Sequence, residues 1–353
     1  MVRRGWKKLR RPGSERQLAV DLGTANTVVY QRGSGVVVFE PSVVAVDDRT
    51  GEVHAVGEQA RRMIGRTPAH IRAIRPLRHG VIADFDTTEQ MLRHFIRRVI
   101  SGYRSRADVM VCIPSGITQV ERSAVEDATL AAGASRAYLI EEPLAAAIGA
   151  DLPVAEAAGS LVLDVGGGTS EMAVTALGGL VASHSIRVGG YDLDDAIIRL
   201  LQDDERLLIG QEQAEVVKIE VGAALPGSNA PESTDVAGRD LLTGLLRRAH
   251  LTAAQVQRAL ERPLAHIVDA VKVLLEHTPP ELSSDIADRG LMLVGGGALL
   301  RNFDQLLQRE IGLPVTIADD PLTTVARGAG RALEELESLI PSTAATRRRR
   351  RNT

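Results

Sequence analysis

Two aspartates sit where a polypeptide can handle a phosphate ester through a metal ion. Asp164 ends an apolar run and is followed by three glycines in LVLDVGGGTSEMAV (161–174), and Asp21 ends another, followed by the single Gly23, in LAVDLGTANTVVY (18–30). Glycine turns present backbone N–H groups with no side chain to keep an anion away, so they approach phosphate oxygens closely. An aspartate facing the same anion is tolerable only with a divalent cation between them. Neither segment is a familiar phosphate loop. No Lys-Ser/Thr pair follows the glycines, and the G-x-G-x-x-G spacing before a helix is absent. After Gly168 the residues Thr169 to Val174 alternate loosely, which predicts a second strand and makes the unit a hairpin. An ordinary glycine-rich turn is the competing reading for either segment alone.

The repetition suggests two related halves facing each other across one nucleotide. A third glycine run, LMLVGGGALLRNFDQLL (291–307), differs because Leu299, Leu300, Phe303, Leu306 and Leu307 follow at helical spacing. That pattern predicts strand, glycine turn, helix. A flat base or ribose can lie against the bare backbone of Gly295, Gly296, Gly297 and Ala298, next to Leu299, and Arg301 on the first helical turn can cover the base.

In order and spacing these three segments resemble the phosphate-one, phosphate-two and adenosine motifs of the actin, sugar kinase and heat-shock chaperone superfamily, and in detail the MreB-like bacterial actins. The segments IEEPLAAAIGADLP (140–153), GVIADFDTTEQMLRHFI (80–96), LEHTPPELSSDIADRGLMLVGGGALLRN (275–302) and DPLTTVARGAGRALE (320–334) extend the likeness over residues 16 to 338. The resemblance implies an actin-like two-domain α/β fold with duplicated mixed-sheet halves around a nucleotide cleft. It implies ATP or ADP and Mg²⁺ as cofactors, with Asp21 and Asp164 holding the metal through its waters. The backbone at Gly23, Thr24, Ala25 and Asn26 and at Gly166, Gly167, Gly168 and Thr169 would clamp the phosphates, with Gly189 and Gly190 beside them. Glu215, Val216, Val217 and Lys218 would form the helical segment at the adenosine. Glu215 and Lys218 share a face one turn apart, so a surface ion pair is their plainer reading. Glu142 would orient the attacking water, assisted by the Thr169 or Ser170 hydroxyl. An acid before a proline at a helix start is also a favourable cap.

Three positions depart from the family pattern. Ser170 stands where the family has Thr, Val216 where it has Arg, and Tyr191 where it has Asp. The last two remove polar groups near the nucleotide. The hydrophobic membrane loop that some relatives carry is reduced here to Tyr103 within SGYRSRAD. The resemblance implies a slow ATPase coupled to self-polymerisation, with cell-wall synthesis and shape proteins as partners. The alternatives are a small-molecule kinase of the same superfamily and a nucleotide-binding scaffold that does not hydrolyse. A chaperone would need a further C-terminal substrate domain.

The elements that must position these residues are readable in outline. Strands fill 18–57 and 109–113. Helices are predicted at 86–100, with Thr87 and Gln90 as a capping box, and at 118–132, 143–150, 191–203, 212–222, 253–276 and 300–310. Residues 226–238, PGSNAPESTDVAG, read as a loop. The domains expected are 16–153, completed by 320–338, and 154–319, flanked by a basic segment 1–15 and a basic disordered tail 339–353. A chain of 353 residues exceeds what one core sustains, in agreement. A single cysteine, Cys112, excludes an internal disulfide and suits a reducing cytoplasm.

Charge is concentrated at the ends. MVRRGWKKLRR (1–11) carries six Lys/Arg and no acid, and residues 347–351 are five arginines; removing these eleven charges from the formal net of −3 leaves −14. Trp6, Leu9 and Val2 among the N-terminal cations fit a segment lying on an anionic membrane surface, with roughly 1 kcal/mol per basic residue from the surface potential. No apolar stretch approaches the ~18–20 residues that span a bilayer. The expected place is therefore the cytoplasm, peripherally at the inner face of the plasma membrane, and no specific nucleic-acid partner is expected.

Overall fold

The computed structural model describes residues 16–100, 107–227, 229, 231–339 and 346–347. The N-terminal basic segment, Tyr103 and most of the C-terminal tail lie outside them; within the tail, Thr346–Arg347 pair with the strand Arg136–Glu141.

Two mixed sheets carry the molecule, and they repeat one plan. In the first, Arg136–Glu141 lies parallel to Ala107–Ile113, which lies parallel to Arg16–Leu22. Asn26–Gln31 and Gly35–Pro41 follow antiparallel. In the second, Val315–Ile317, Leu291–Val294 and Ser160–Val165 are parallel neighbours. Ser170–Ala176 and Gly179–Ile186 follow antiparallel. Strand order and direction therefore match position for position, and the two aspartate hairpins occupy equivalent places, Arg16–Leu22 with Asn26–Gln31 and Ser160–Val165 with Ser170–Ala176.

Between the sheets lie the helices Glu142–Gly149 and Thr324–Leu339. Glycines let them touch backbone to backbone: a Cβ on Gly149 would collide with the Thr324 carbonyl, and one on Gly328 with that of Ala145. Ala145, Ala146 and Ala147 of one helix and Val325, Ala329 and Leu333 of the other share a core with Ala19, Met110 and Cys112 of the first sheet and Val162, Ala173 and Val294 of the second. Small side chains keep this central layer thin, so the two hairpin turns come near each other. Each half has its own outer core, built on the helix Phe85–Val99 in the first and on Ala253–Glu276 in the second.

The helices expected from sequence periodicity are found to within a few residues, but Pro280–Arg289 and the central helix Thr324–Leu339 are not among those expected, and two further expectations fail. The N-cap of Phe85–Val99 is Asp84, whose carboxylate accepts the Thr87 N–H at 3.0 Å, so the expected Thr87/Gln90 box does not form. The expected loop 226–238 already contains the start of the strand Ser233–Asp240, which pairs with Leu246–Thr252 in a hairpin. Polar residues dominate its exposed face and hide the alternation of Val236, Ala249 and Leu251 inward.

Candidate functional site

A cleft of about 540 Å³ opens between the halves, within the range of small-ligand sites. Its walls are the three glycine segments, and the two hairpin turns face each other across it. A Cβ on Gly167 would lie 2.5 Å from that of Ala25, and one on Gly168 would lie 3.0 Å from the Thr24 hydroxyl. The opposing turn thus requires glycine at position 167 and leaves a side chain at position 168 crowded against Thr24.

Hydrogen bonding gives this cradle its polarity. The carbonyls point into protein: those of Gly23 and Ala25 accept from the Ser42 hydroxyl and N–H, those of Gly166 and Gly167 from the Gly190 and Tyr191 N–H groups, and that of Gly168 lies 3.1 Å from the His79 ring. Among the described residues, no protein acceptor meets the N–H groups of Thr24, Ala25, Gly167 or Gly168. Unpaired donors converging from two loops form an anion site. The Thr24 hydroxyl accepts from Gly80 N–H at 2.9 Å, tying the first turn to the 79–80 corner.

Asp21 and Asp164 flank the cradle. Asp164 is 8% exposed, and among the described residues neither carboxylate has a hydrogen-bond donor or basic partner. Burial raises the pKa of Asp21 to about 7; burial, then the charges of Asp21 and Glu171, raise that of Asp164 to about 8. Two carboxylates with no counter-charge suit a divalent cation. Mg²⁺ needs only one or two protein carboxylates, its remaining positions going to water and phosphate oxygens. No cluster of three or more candidate ligands occurs among the described residues, in keeping with so sparse a donor set.

Because both folded pKa values lie above the unfolded value of 3.8, the folded state holds more protons between about pH 4 and 8, and its stability falls as pH rises through that window. We expect the nucleotide-free protein to melt at a lower temperature at pH 8.5 than at pH 6. The double variant Asp21→Asn/Asp164→Asn should flatten that dependence. Calorimetric melts in EDTA across the range check this; parallel slopes for the two proteins would refute it.

Glu142 opens the helix after the strand Arg136–Glu141, lines the same cleft and is 7% exposed. That helix has no side-chain cap, and Glu141 turns instead toward Arg122 at 3.7 Å. Burial, followed by the charges of Glu171, Asp21 and Asp164, pushes the Glu142 pKa well above the usual carboxylate range. Thr169 lines the cleft as well. Ser170 does not: alternation along the strand turns it away, and its hydroxyl donates to the Val188 carbonyl at 2.7 Å.

On the helix Gln211–Val221, Glu215, Lys218 and Ile219 face the cleft. Val217 points into the second core, Val216 is 51% exposed, and neither lines the cavity. Lys218 does not pair with Glu215. Its ammonium meets Asp194 at 2.7 Å and donates to the Gly190 carbonyl at 3.0 Å. Sequence reading missed Asp194, although it shares a helix face with Ile197 and Leu201, and a lone acid on an apolar stripe is a usable signal. Gly190 lines the cleft while Gly189 packs behind it, a Cβ there lying 2.7 Å from the Gly166 carbonyl. Gly295, Gly296, Gly297 and Leu299 form the third wall and Ala298 is buried beneath it. Arg301 lines the cleft with its guanidinium donating to the Ile219 carbonyl at 2.8 Å, at the end of the 211–221 helix.

Two features were invisible in the sequence. Glu171, fully buried, accepts from Ser115 N–H and hydroxyl (3.1 and 2.8 Å) and is bonded by Ser185, joining the two halves behind the cradle. Arg75 of the first half stacks 4.9 Å over the ring of Tyr191 and donates to Gln211 at 2.9 Å, while Arg61 meets Glu212 at 3.5 Å. These contacts join the two halves, and Tyr191 among them lines the cleft.

A family model described as MreB/Mbl protein matches residues 15–341. The chain is 53% identical over 326 residues to the cell shape-determining protein MreB of Escherichia coli (strain K12), covering 91% of this chain and 94% of that one. It is 45% identical to Mbl of Bacillus subtilis (strain 168), covering 92% and 97%. Among solved structures, MreB 5 of Spiroplasma citri bound to AMPPNP superposes with a TM-score of 0.88 at 36% identity, over 93% of this chain and 98% of that one. The MamK double helical filament, at 22% identity and a TM-score of 0.77 over 91% and 99%, shares the fold.

Proposed function

Because the chain belongs to the MreB/Mbl family, we propose that it binds ATP and ADP in the cleft, polymerises into filaments at the membrane and serves to organise cell-wall synthesis and shape. The observation that carries this reading is the double turn with unpaired N–H groups between two uncompensated aspartates, a site for phosphates and a divalent cation. It is supported by the relatives named as cell shape-determining proteins and by MreB 5 of Spiroplasma citri, solved with AMPPNP and with ADP. We assign residues 16–153 with 320–338 to one domain and 154–319 to the other.

In this assignment Asp21 and Asp164 hold Mg²⁺, which when bound supplies the positive charge that their facing carboxylates lack. The N–H groups of Thr24, Ala25, Gly167 and Gly168 hold phosphate oxygens. Glu215, Lys218, Gly295 to Gly297 and Arg301 surround the nucleoside. Phosphoryl transfer to water needs positioning more than covalent chemistry from the protein. Glu142, with Thr169 beside it, orients that water. Residues 1–11 provide membrane attachment. Sedimentation with ATP and Mg²⁺, followed by electron microscopy, tests assembly, and co-sedimentation with anionic liposomes before and after deletion of residues 1–11 tests attachment. Absence of filaments under every nucleotide condition would overturn the reading.

In this reading the Arg75 to Tyr191 stack, which joins the two halves at a residue lining the cleft, holds them together over bound nucleotide. A cation–π contact and a guanidinium hydrogen bond are together worth on the order of 1–2 kcal/mol, so Arg75→Ala should release ADP about tenfold faster. A stopped-flow chase of a fluorescent ADP measures it. An unchanged rate would show that this stack does not limit exit.

A further inference from the structure

The run of five arginines at residues 347–351 has no part in the reading of the cleft, yet the fold places its first member. Thr346–Arg347 adds an antiparallel strand to the outer edge of Arg136–Glu141, with Arg347 opposite Arg136 and Thr346 opposite Ala137. Arg136 lies opposite Asp108, and Asp108 opposite Gln17. Arg347, Arg136, Asp108 and Gln17 therefore form one row across four strands of the first sheet.

Strand direction decides where the charges go. The tail strand runs against its neighbours, so the chain after Arg347 leaves at the end where Arg136–Glu141, Ala107–Ile113 and Arg16–Leu22 begin. The basic segment 1–15 joins the sheet at that same end. Arg347 and Gln17 are three strand spacings apart, about 14 Å. The four arginines beyond Arg347 can reach no more than about 14 Å from it. Eleven cations from opposite ends of the sequence therefore leave the fold at one end of one sheet.

The folded surface at that end is basic as well. Arg32, in the turn after Asn26–Gln31, is exposed and donates to the Gln17 side chain at 2.7 Å. Arg93 of the helix Phe85–Val99 donates to the Ala131 carbonyl at 3.1 Å, in the last turn of the helix Gln119–Ala132 that leads into Arg136. Arg97, one turn beyond Arg93, is exposed, and among the described residues it makes no ion pair. The acid of the row, Asp108, is 1% exposed and already paired with Arg136. Arg347 thus stands across the ladder from a like charge, which a polyanionic surface outside the fold would relieve. Trp6, Leu9 and Val2 among the N-terminal cations select a bilayer, whose interface buries apolar side chains between anionic headgroups.

We propose that the five-arginine tail is a second membrane anchor, docked through Thr346–Arg347 at the end of the first sheet from which residues 1–15 emerge, where it binds the headgroups of an anionic bilayer. The choice of a bilayer rests on the reading of residues 1–11 as the membrane-attached segment. One pair of anchors binds weakly, and a filament repeats both along one surface.

The test uses the full chain with Trp6→Phe and Arg349→Trp, which moves the only tryptophan into the tail. Its emission should shift to the blue with vesicles of phosphatidylglycerol and phosphatidylcholine, and stay unshifted with phosphatidylcholine alone. In a chain that keeps Trp6, changing all five arginines to glutamine should lower vesicle affinity about tenfold or more and flatten its dependence on salt, with ATP affinity and the critical concentration for assembly unchanged. Deleting residues 1–11 should leave weaker binding that added salt removes. Unshifted emission on vesicle-bound protein would overturn the proposal, as would wild-type vesicle affinity in the glutamine variant, and either can occur with N-terminal attachment intact. Loss of binding in the glutamine variant, with the deletion of 1–11 harmless, would uphold the tail and overturn the N-terminal reading. Unchanged vesicle affinity with a raised critical concentration would overturn the proposal and assign the arginines to the acidic body of a second copy.

Discussion

Asp164→Ala lowers the affinity for Mg²⁺–ATP by about tenfold to a hundredfold, the usual cost of losing a group that orients a metal's ligands, and raises the melting temperature of the nucleotide-free protein. Both effects have one cause. Asp164 is buried beside Asp21 with no donor or cation among the described residues, and its pKa is raised to about 8. At pH 8 and above, the unliganded fold therefore bears the strain of an ionised carboxylate in a poorly solvated place. Alanine removes that strain. It also removes half of the charge that a divalent cation would meet.

The two effects separate cleanly in a thermal-shift series. Ligand at a hundred times its Kd stabilises the folded state by about 2.7 kcal/mol. A hundredfold weaker affinity leaves little of it. The wild type should therefore start lower and gain a large shift with Mg²⁺ and ATP, while Asp164→Ala starts higher and gains almost none. Titration calorimetry with and without Mg²⁺ measures the affinities directly. Equal ATP affinity in the presence and absence of Mg²⁺ for the wild type would remove the metal from this site.

The parts of the fold legible in the sequence are those set by local pattern. LVLDVGGGTSEMAV and LAVDLGTANTVVY each announce a hairpin, because alternation on both sides of a glycine turn has one simple solution. The paired glycines of the central helices, Gly149 and Gly328, could not be matched to each other, since they meet only when residues 179 apart in the chain are brought together. The same limit hid the partner of Lys218. Its neighbour in sequence is Glu215, one turn away, but burial of Asp194 on the apolar face of its own helix places that acid closer. Val216 and Ser170 show the reverse case. Spacing within a motif placed them at the site, and the 100° step of a helix and the alternation of a strand turn them away.

Tyr191 changes meaning between the two levels. As a departure from the family pattern it removes a carboxylate from the region of the nucleotide. In the structure its ring receives Arg75 from the opposite half, so the position joins the two halves through a stacked cation.

Glu142→Gln should leave ATP affinity within about twofold of wild type and slow phosphate release by roughly a hundredfold or more, the range for loss of a positioned base. The side chain lines the cleft from the start of its helix, makes no cap and is 7% exposed, so glutamine fits the same volume. What it loses is the ability to accept a proton. Only the ionised carboxylate can do so, and burial together with the charges of Glu171, Asp21 and Asp164 opposes ionisation. Neutralising the two aspartates relieves part of that opposition. Hydrolysis should consequently depend on the divalent cation more steeply than binding does, and rise with pH as Glu142 ionises. Single-turnover phosphate release, measured at saturating ATP over a series of Mg²⁺ concentrations and pH values, separates the contributions. A wild-type rate in Glu142→Gln would leave Thr169 as the residue that positions the water. Undetectable release in the wild type under all conditions would make the cleft a nucleotide-binding scaffold, in which nucleotide closes the two halves without being consumed.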